Sequence, residues 1–304
     1  MYMKKDVLIG IIVVASFLIL GGIFYAIGSG IDTGSMTTGT ATAVKIPVSG
    51  QITSTGQSSL FQQVQTSDVI AQKIREAGED SSVDAIFLEV NSPGGAPVAS
   101  HEIVRAVKDV EKPVVAQIRE VGASGAYWVA SAADHIVSDP VSVTGSVGVL
   151  SSYLEFSGLL QDYNVSYEEI TAGELKELGS PFKELEENER QTLQRKIDLL
   201  GEYFLNDVVE NRGLTSQQKA DVGTAQFYIG IESIDAGLVD ELGGRQEAIN
   251  WLENKTNSSI RMRDAQFQQG FLASLNQASL NIDTETLRML QYVHTGIQPN
   301  LKLR

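Results

Sequence analysis

The chain has 304 residues, 42% of them apolar, a formal net charge of −15 and no cysteine. Its length and apolar content allow one large domain with appendages. The acidity excludes a nucleic-acid partner and docking through a basic patch onto anionic lipid, both of which need clustered Lys and Arg. Without cysteine there are no disulfides, thiolate nucleophiles or zinc–thiolate sites.

Residues 7–27 form an uncharged apolar run, close to the roughly 20 residues a helix needs to cross a bilayer core. Lys4 and Lys5 precede the run and no basic residue follows until Lys45. That bias places residues 1–6 in the cytoplasm and the rest of the chain outside it. The run exceeds the about 7–15 apolar residues of a cleavable signal peptide, so an uncleaved cell-membrane anchor is expected. Residues 28–43, rich in Gly, Ser and Thr, read as a flexible linker. The extracytoplasmic domain is expected over 44–254. Residues 255–304, polar and rich in Gln and Asn, read as a mobile or partner-docking tail.

Within the domain the pattern predicts a strand at 44–48, then a helix capped by Ser67 and Asp68 that runs through Ile70, Ile74 and Ala77. A largely apolar strand follows at 84–90, a helix from Pro97 through Ile103, Val104 and Val107, and a strand at 113–118. The next helix begins at Ser124. Short strands are expected at 136–137 and 147–150, around Thr144-Gly145-Ser146. Such alternation predicts an α/β fold with parallel strands, and both glycine-bearing loops fall at strand C-terminal ends, where such folds gather their sites. A long helix is predicted over 184–211, with Leu185, Leu193, Ile197, Leu200, Phe204 and Val208 on one stripe and a stop at Gly213. Two closing helices are expected at 231–238 and 246–252.

Ser124 lies in Gly122-Ala123-Ser124-Gly125-Ala126-Tyr127-Trp128, between small residues at a helix start. A serine hydroxyl needs a base to become a nucleophile. The three histidines, His101, His135 and His294, read as structural, and no Gly-x-Ser-x-Gly elbow pattern is present. A lysine is therefore the expected base. Lys176 and Lys183 both qualify by local chemistry, and the residues alone do not separate them. Gly95, in Asn91-Ser92-Pro93-Gly94-Gly95, and Gly125 can supply backbone N–H groups to an oxyanion. No metal-ligand spacing occurs, and no cofactor is implied.

As a set, Asn91-Ser92-Pro93-Gly94-Gly95, Ala123-Ser124-Gly125-Ala126-Tyr127, Thr144-Gly145-Ser146-Val147-Gly148-Val149, Gly173-Glu174-Leu175-Lys176 with Ser180-Pro181, and Ala236-Gly237-Leu238-Val239-Asp240 resemble the signal peptide peptidase A family, peptidase family S49, in its short single-copy form. The resemblance covers about residues 44–251. It implies Ser124 as nucleophile, Lys176 rather than Lys183 as general base, Ser146 as the residue holding the lysine amine, and Gly95 with Gly125 as oxyanion donors. It also implies a crotonase/Clp-type fold of repeated ββα units and a ring-shaped homo-oligomer. In that ring the serine and lysine of one site can come from adjacent subunits. Ala126 stands where the family more usually has glycine, which should narrow the site.

The expected function is a membrane-anchored serine endopeptidase that uses a Ser-Lys dyad on peptides, including remnant signal peptides. The alternatives are a crotonase-like acyl-CoA hydratase or hydrolase and a non-catalytic membrane scaffold.

Overall fold

The computed structural model describes residues 39–55 and 66–265. The expected anchor at 7–27 lies outside them, as do most of the expected linker and most of the tail. No helix among the described residues is long and apolar enough to cross a membrane.

The centre is an eight-stranded mixed sheet. In chain order its strands are β1 (Gly39–Ser49), β2 (Ala85–Ser92), β3 (Val114–Ala123), β4 (His135–Ser138), β5 (Val143–Gly145), β6 (Phe227–Ile229), β7 (Glu241–Leu242) and β8 (Ser258–Asp264). The helices are α1 (Ser67–Glu79), α2 (Pro97–Lys108), α3 (Gly125–Ser131), α4 (Ser157–Asp162), α5 (Glu187–Arg212), α6 (Ser216–Val222), α7 (Gly230–Ser233) and α8 (Arg245–Thr256). The sheet runs β6-β5-β3-β2-β1-β8, with β4 also on β3 and β7 on β4. The β1/β2, β2/β3, β3/β4, β3/β5 and β4/β7 pairs are parallel, and β5/β6 is antiparallel.

Strand β3 serves two partners in succession. Val115 to Ile118 pair with β4, and Val121 to Ala123 pair with β5. The split brings the C-terminal end of β3, and Ser124 after it, out over the β5 edge. Both sheet faces are covered, which is why β2 is largely apolar, with four consecutive buried residues from Ala85 to Leu88. Ile86, Leu88 and Val90 face the larger core with α1, α2 and α3, while Ala85 and Phe87 face a smaller one with Ala248 and Leu252 of α8.

Four expectations need correction. The linker ends earlier than residue 43, because β1 begins at Gly39 and Ala41, Thr42 and Ala43 are buried. Ala43 packs in the smaller core, where a small side chain fits, and the Thr42 N–H donates to Asp84 Oδ2 at 2.7 Å. The tail is not irregular from 255. Ser258–Asp264 forms β8 beside β1, with Ile260 and Met262 packed against the smaller core and Lys45 3.0 Å from Asp264. Residues 147–150 are not a strand; Gly145 (φ 79°) and Ser146 (φ 51°) turn the chain out of the sheet there. The helix expected at 231–238 is only the short α7, closed by turns ending at Gly237 (φ 73°).

The long helix α5 starts at Glu187 behind a capping box of Glu186 and Glu189 and stops at Gly213 in the left-handed conformation. Of its predicted stripe only Phe204 and Val208 are buried, and Leu200 is exposed.

Candidate active site

Ser124 joins β3 to α3 with φ 53° and ψ −129°, a conformation that costs an L-residue on the order of 1–3 kcal/mol and persists where surroundings enforce it. Here they do. The Ser124 N–H donates to the Gly145 carbonyl at 2.8 Å, and its own carbonyl accepts from Trp128 N–H at 3.0 Å to begin the helix. The backbone thus forms a sharp strand-to-helix elbow that lifts the side chain out of the sheet, although the usual glycine spacing is absent. The signal that stood for it was Gly122 with Gly125. A Cβ on Gly122 would come 2.9 Å from Ile118, and one on Gly125 would come 2.1 Å from Ser100 Oγ.

The turn after β2 is pressed against this elbow. Gly94 has φ 98°, and a Cβ there would lie 2.8 Å from Gly125 N and 2.9 Å from Ser124 Cβ. At Gly95 a Cβ would meet the Ile52 carbonyl at 1.9 Å. Ile52 bonds on either side of Gly95, donating to the Gly94 carbonyl and accepting from Ala96 N–H, both at 2.9 Å. That pairing leaves the Gly95 N–H directed away from Ile52, with its nitrogen 3.4 Å from where a Gly125 Cβ would stand. Among the described residues neither the Gly95 nor the Gly125 N–H has an acceptor. Two unpaired backbone donors beside a half-buried serine hydroxyl form the arrangement that stabilises an oxyanion.

The elbow opens into a cleft of about 250 Å³ lined by Gly95, Pro97, Ser124, Gly125, Trp128, Gly148, Val149, Leu150 and, from α5, Leu200, Tyr203 and Phe204. None of these is acidic or basic. Trp128 stacks on Phe204 at 4.6 Å, and its indole N–H donates to Asp207 Oδ2 at 2.5 Å. Lys108 holds the other oxygen of Asp207 at 2.5 Å. His101 lies behind this wall, stacked on Trp128 at 5.2 Å and bonded to the Tyr203 hydroxyl at 3.1 Å. Burial, then the Arg105 charge, push its imidazole below its ordinary pKa, and it does not line the cleft. His135 is likewise distant, stacked on Trp251 at 4.9 Å beside Asp240 and Glu241.

The structure therefore brings Ser124, Gly95 and Gly125 together. Ser146 follows the carbonyl that anchors Ser124 and is held by its own N–H on Gln226 O at 2.9 Å, but it is not in the cleft wall. Lys176 stands in a series of turns after Gly173, exposed, outside the cleft wall, and its ammonium has no partner among the described residues. Lys183 has two, Glu189 at 3.0 Å and Glu169 at 3.2 Å. Those hydrogen bonds, Glu189's first, raise its pKa, the reverse of what a base requires. Ala126 does not narrow the cleft, because its side chain is fully buried in the larger core. The reading of the residues also missed Trp128, Tyr203 and Phe204 as cleft wall; their aromatic spacing is indistinguishable from core.

Residues 106–259 match the family profile described as Peptidase family S49. A Methanocaldococcus jannaschii protein with a provisional protease designation is 36% identical over 183 residues, 60% of this chain and 59% of that protein. An Enterococcus faecium protein provisionally designated signal peptide peptidase SppA is 31% identical over 216 residues, 70% of this chain and 63% of that one. Protease 4 of Haemophilus influenzae is 34% identical over 194 residues, 62% of this chain and 31% of that one. The similarity thus spans less than two thirds of each relative's own length.

Proposed function

This chain belongs to peptidase family S49, as an SppA-like member, and on that premise we propose that it is a membrane-anchored serine endopeptidase acting on peptides, remnant signal peptides among them. The observation that carries the reading is the enforced Ser124 elbow with the unpaired Gly95 and Gly125 N–H groups beside it. The apolar cleft next to Ser124 suits the side chain of a peptide residue at the scissile bond. The split pairing of β3 with β4 and β5 supports a crotonase/Clp-type fold.

Ser124 Oγ attacks the peptide carbonyl carbon as the neutral amine of Lys176 takes the hydroxyl proton. The resulting oxyanion accepts from Gly95 and Gly125 N–H. Collapse breaks the C–N bond, and Lys176 gives its proton to the leaving amine. A water then repeats the sequence on the acyl-enzyme, with Lys176 again as base. Lys176 is outside the cleft wall of its own chain, so the lysine of one copy serves the Ser124 of a neighbour. Ser146 orients the lysine amine. The stretch of chain that leads to Lys176 carries exposed apolar surface for such a contact: Leu154 is 72% exposed, Tyr163 75% and Ile170 97%. An acyl-CoA hydratase would need a carboxylate at the turns, and the cleft wall has none.

Ser124→Ala and Lys176→Ala are each expected to abolish peptide cleavage with folding intact. Cleavage by Lys176→Ala would remove the dyad. When the two inactive variants are mixed under conditions that allow exchange, about a quarter of wild-type activity should return, because that share of sites in a random ring keeps both groups. A mixture that stays inactive would place serine and lysine in one subunit.

A further inference from the structure

We propose that Lys183 is a positioning residue, whose ion pair with Glu189 fixes the segment that presents Lys176; the proposal rests on Lys176 being the base. Residues 150–182 form an arm with little burial of its own, in which Ser157 is the one side chain counted as buried. Its internal ties are local. Phe156 N–H donates to Pro181 O at 2.7 Å, Tyr167 hydroxyl to Glu177 at 2.9 Å, and the Tyr167 and Phe182 rings lie 5.5 Å apart. Three successive turns then set the Lys176 region: Lys176 N–H to Gly173 O, Leu178 N–H to Leu175 O, and Ser180 N–H to Glu177 O.

At the end of the arm, Lys183 bonds inward to Glu189 and back to Glu169, seven residues before Lys176. Glu189 is 2% exposed, a carboxylate whose burial is tolerated only because both oxygens are used. One oxygen faces Lys183 at 3.0 Å, and the other accepts the Glu186 N–H at 3.1 Å to cap α5. The same carboxylate therefore starts the helix that walls the cleft and anchors the arm that carries the base. The Lys176 ammonium has no partner among the described residues, so the placing of the segment that presents it is inherited from this clamp. A general base displaced by an ångström loses rate rather than substrate binding.

The test is steady-state peptide hydrolysis and amide exchange in the full-length protein with Lys183→Met, Lys183→Arg and the milder, more exposed Glu169→Gln. Lys183→Met should lower kcat about tenfold or more, with KM changed less than about twofold, and Lys183→Arg should restore most of it. Exchange within residues 165–182 should accelerate in Lys183→Met and less in Glu169→Gln, while β1 to β3 stay protected. Wild-type kcat in Lys183→Met, measured where Lys176→Ala is inactive, would overturn the positioning role and leave the base in place. So would Lys183→Arg as impaired as Lys183→Met. Activity in Lys176→Ala would instead remove the base, and the exchange measurement would still decide whether the clamp holds the arm.

Discussion

At the scale of single residues the site is made by contacts that exclude a side chain. Gly125 abuts Ser100 Oγ, which is fully buried and has no hydrogen-bond partner among the described residues. An unpaired buried hydroxyl costs about 1–3 kcal/mol, so Ser100→Ala should leave stability unchanged or raise it by about 1 kcal/mol in denaturant melts. Gly125→Ala should impair both stability and turnover, since its Cβ would lie 2.1 Å from that oxygen and 2.9 Å from Ser100 Cβ. Adding Ser100→Gly removes both atoms and should recover a measurable part of the loss, giving a coupling of about 1 kcal/mol or more in a double-mutant cycle. Additive losses would show that the cost at Gly125 does not come from its contact with Ser100. Ser124, Gly95 and Gly125 stand out in the sequence as candidates because hydroxyl and glycine patterns at strand ends have few other uses, and the fold sets them on one cleft wall. The contacts of Ser100 and Ile52 do not stand out, because each residue fills the place where a glycine Cβ would be.

Elements were legible in proportion to their burial. Strands β2 and β3 open on apolar runs and were found there, β2 within two residues of its bounds; the end of β3 was missed by five because Arg119 and Glu120 interrupt its run. Strand β8 was missed because it lies at a sheet edge, with Ile260 and Met262 alternating with Ser259, Arg261 and Arg263. The start of α5 was misplaced by three residues because its capping box is Glu186-Glu187-Asn188-Glu189, without the Ser or Thr that marks most N-termini. That cap has a pH signature. The Glu186 N–H, and after it Lys183, hold the Glu189 carboxyl below its ordinary value of 4.5. Its contribution is complete above 4.5 and is lost as pH falls through the lower folded value. Lys183 is raised above 10.5, so its share is complete below that and is lost only in stronger alkali. Protection of the amides at the α5 N-terminus, taken relative to their intrinsic exchange rate at each pH, should therefore be flat between about pH 5 and 10 and fall in acid, and Glu189→Gln should abolish the acid limb. An acid limb unchanged in Glu189→Gln would assign it to another carboxylate.

For the whole molecule, charge and apolar surface pull in opposite directions. Each copy carries a formal −15, so association opposes a net repulsion that salt screens over about 8 Å at physiological ionic strength. The exposed apolar residues of the arm and of α5, Leu199 and Tyr203 among them, favour association regardless of salt. Self-association measured by sedimentation should thus strengthen as salt rises from low values, and specific activity should rise with protein concentration and with salt in parallel. Specific activity independent of concentration, down to where sedimentation finds single chains, would confine the chemistry to one copy.

The 2.8 Å bond from Ser124 N–H to Gly145 O has a mechanical consequence. β5 is three residues long, clasped to β3 on one side and to the equally short β6 on the other. It works as a latch on a sprung hinge: with β5 in place the serine backbone stays cocked, and if that edge frays Ser124 relaxes to an ordinary angle and its hydroxyl swings off the two donors. On the proposed mechanism, releasing three residues at a sheet margin would disarm Ser124 without melting the core.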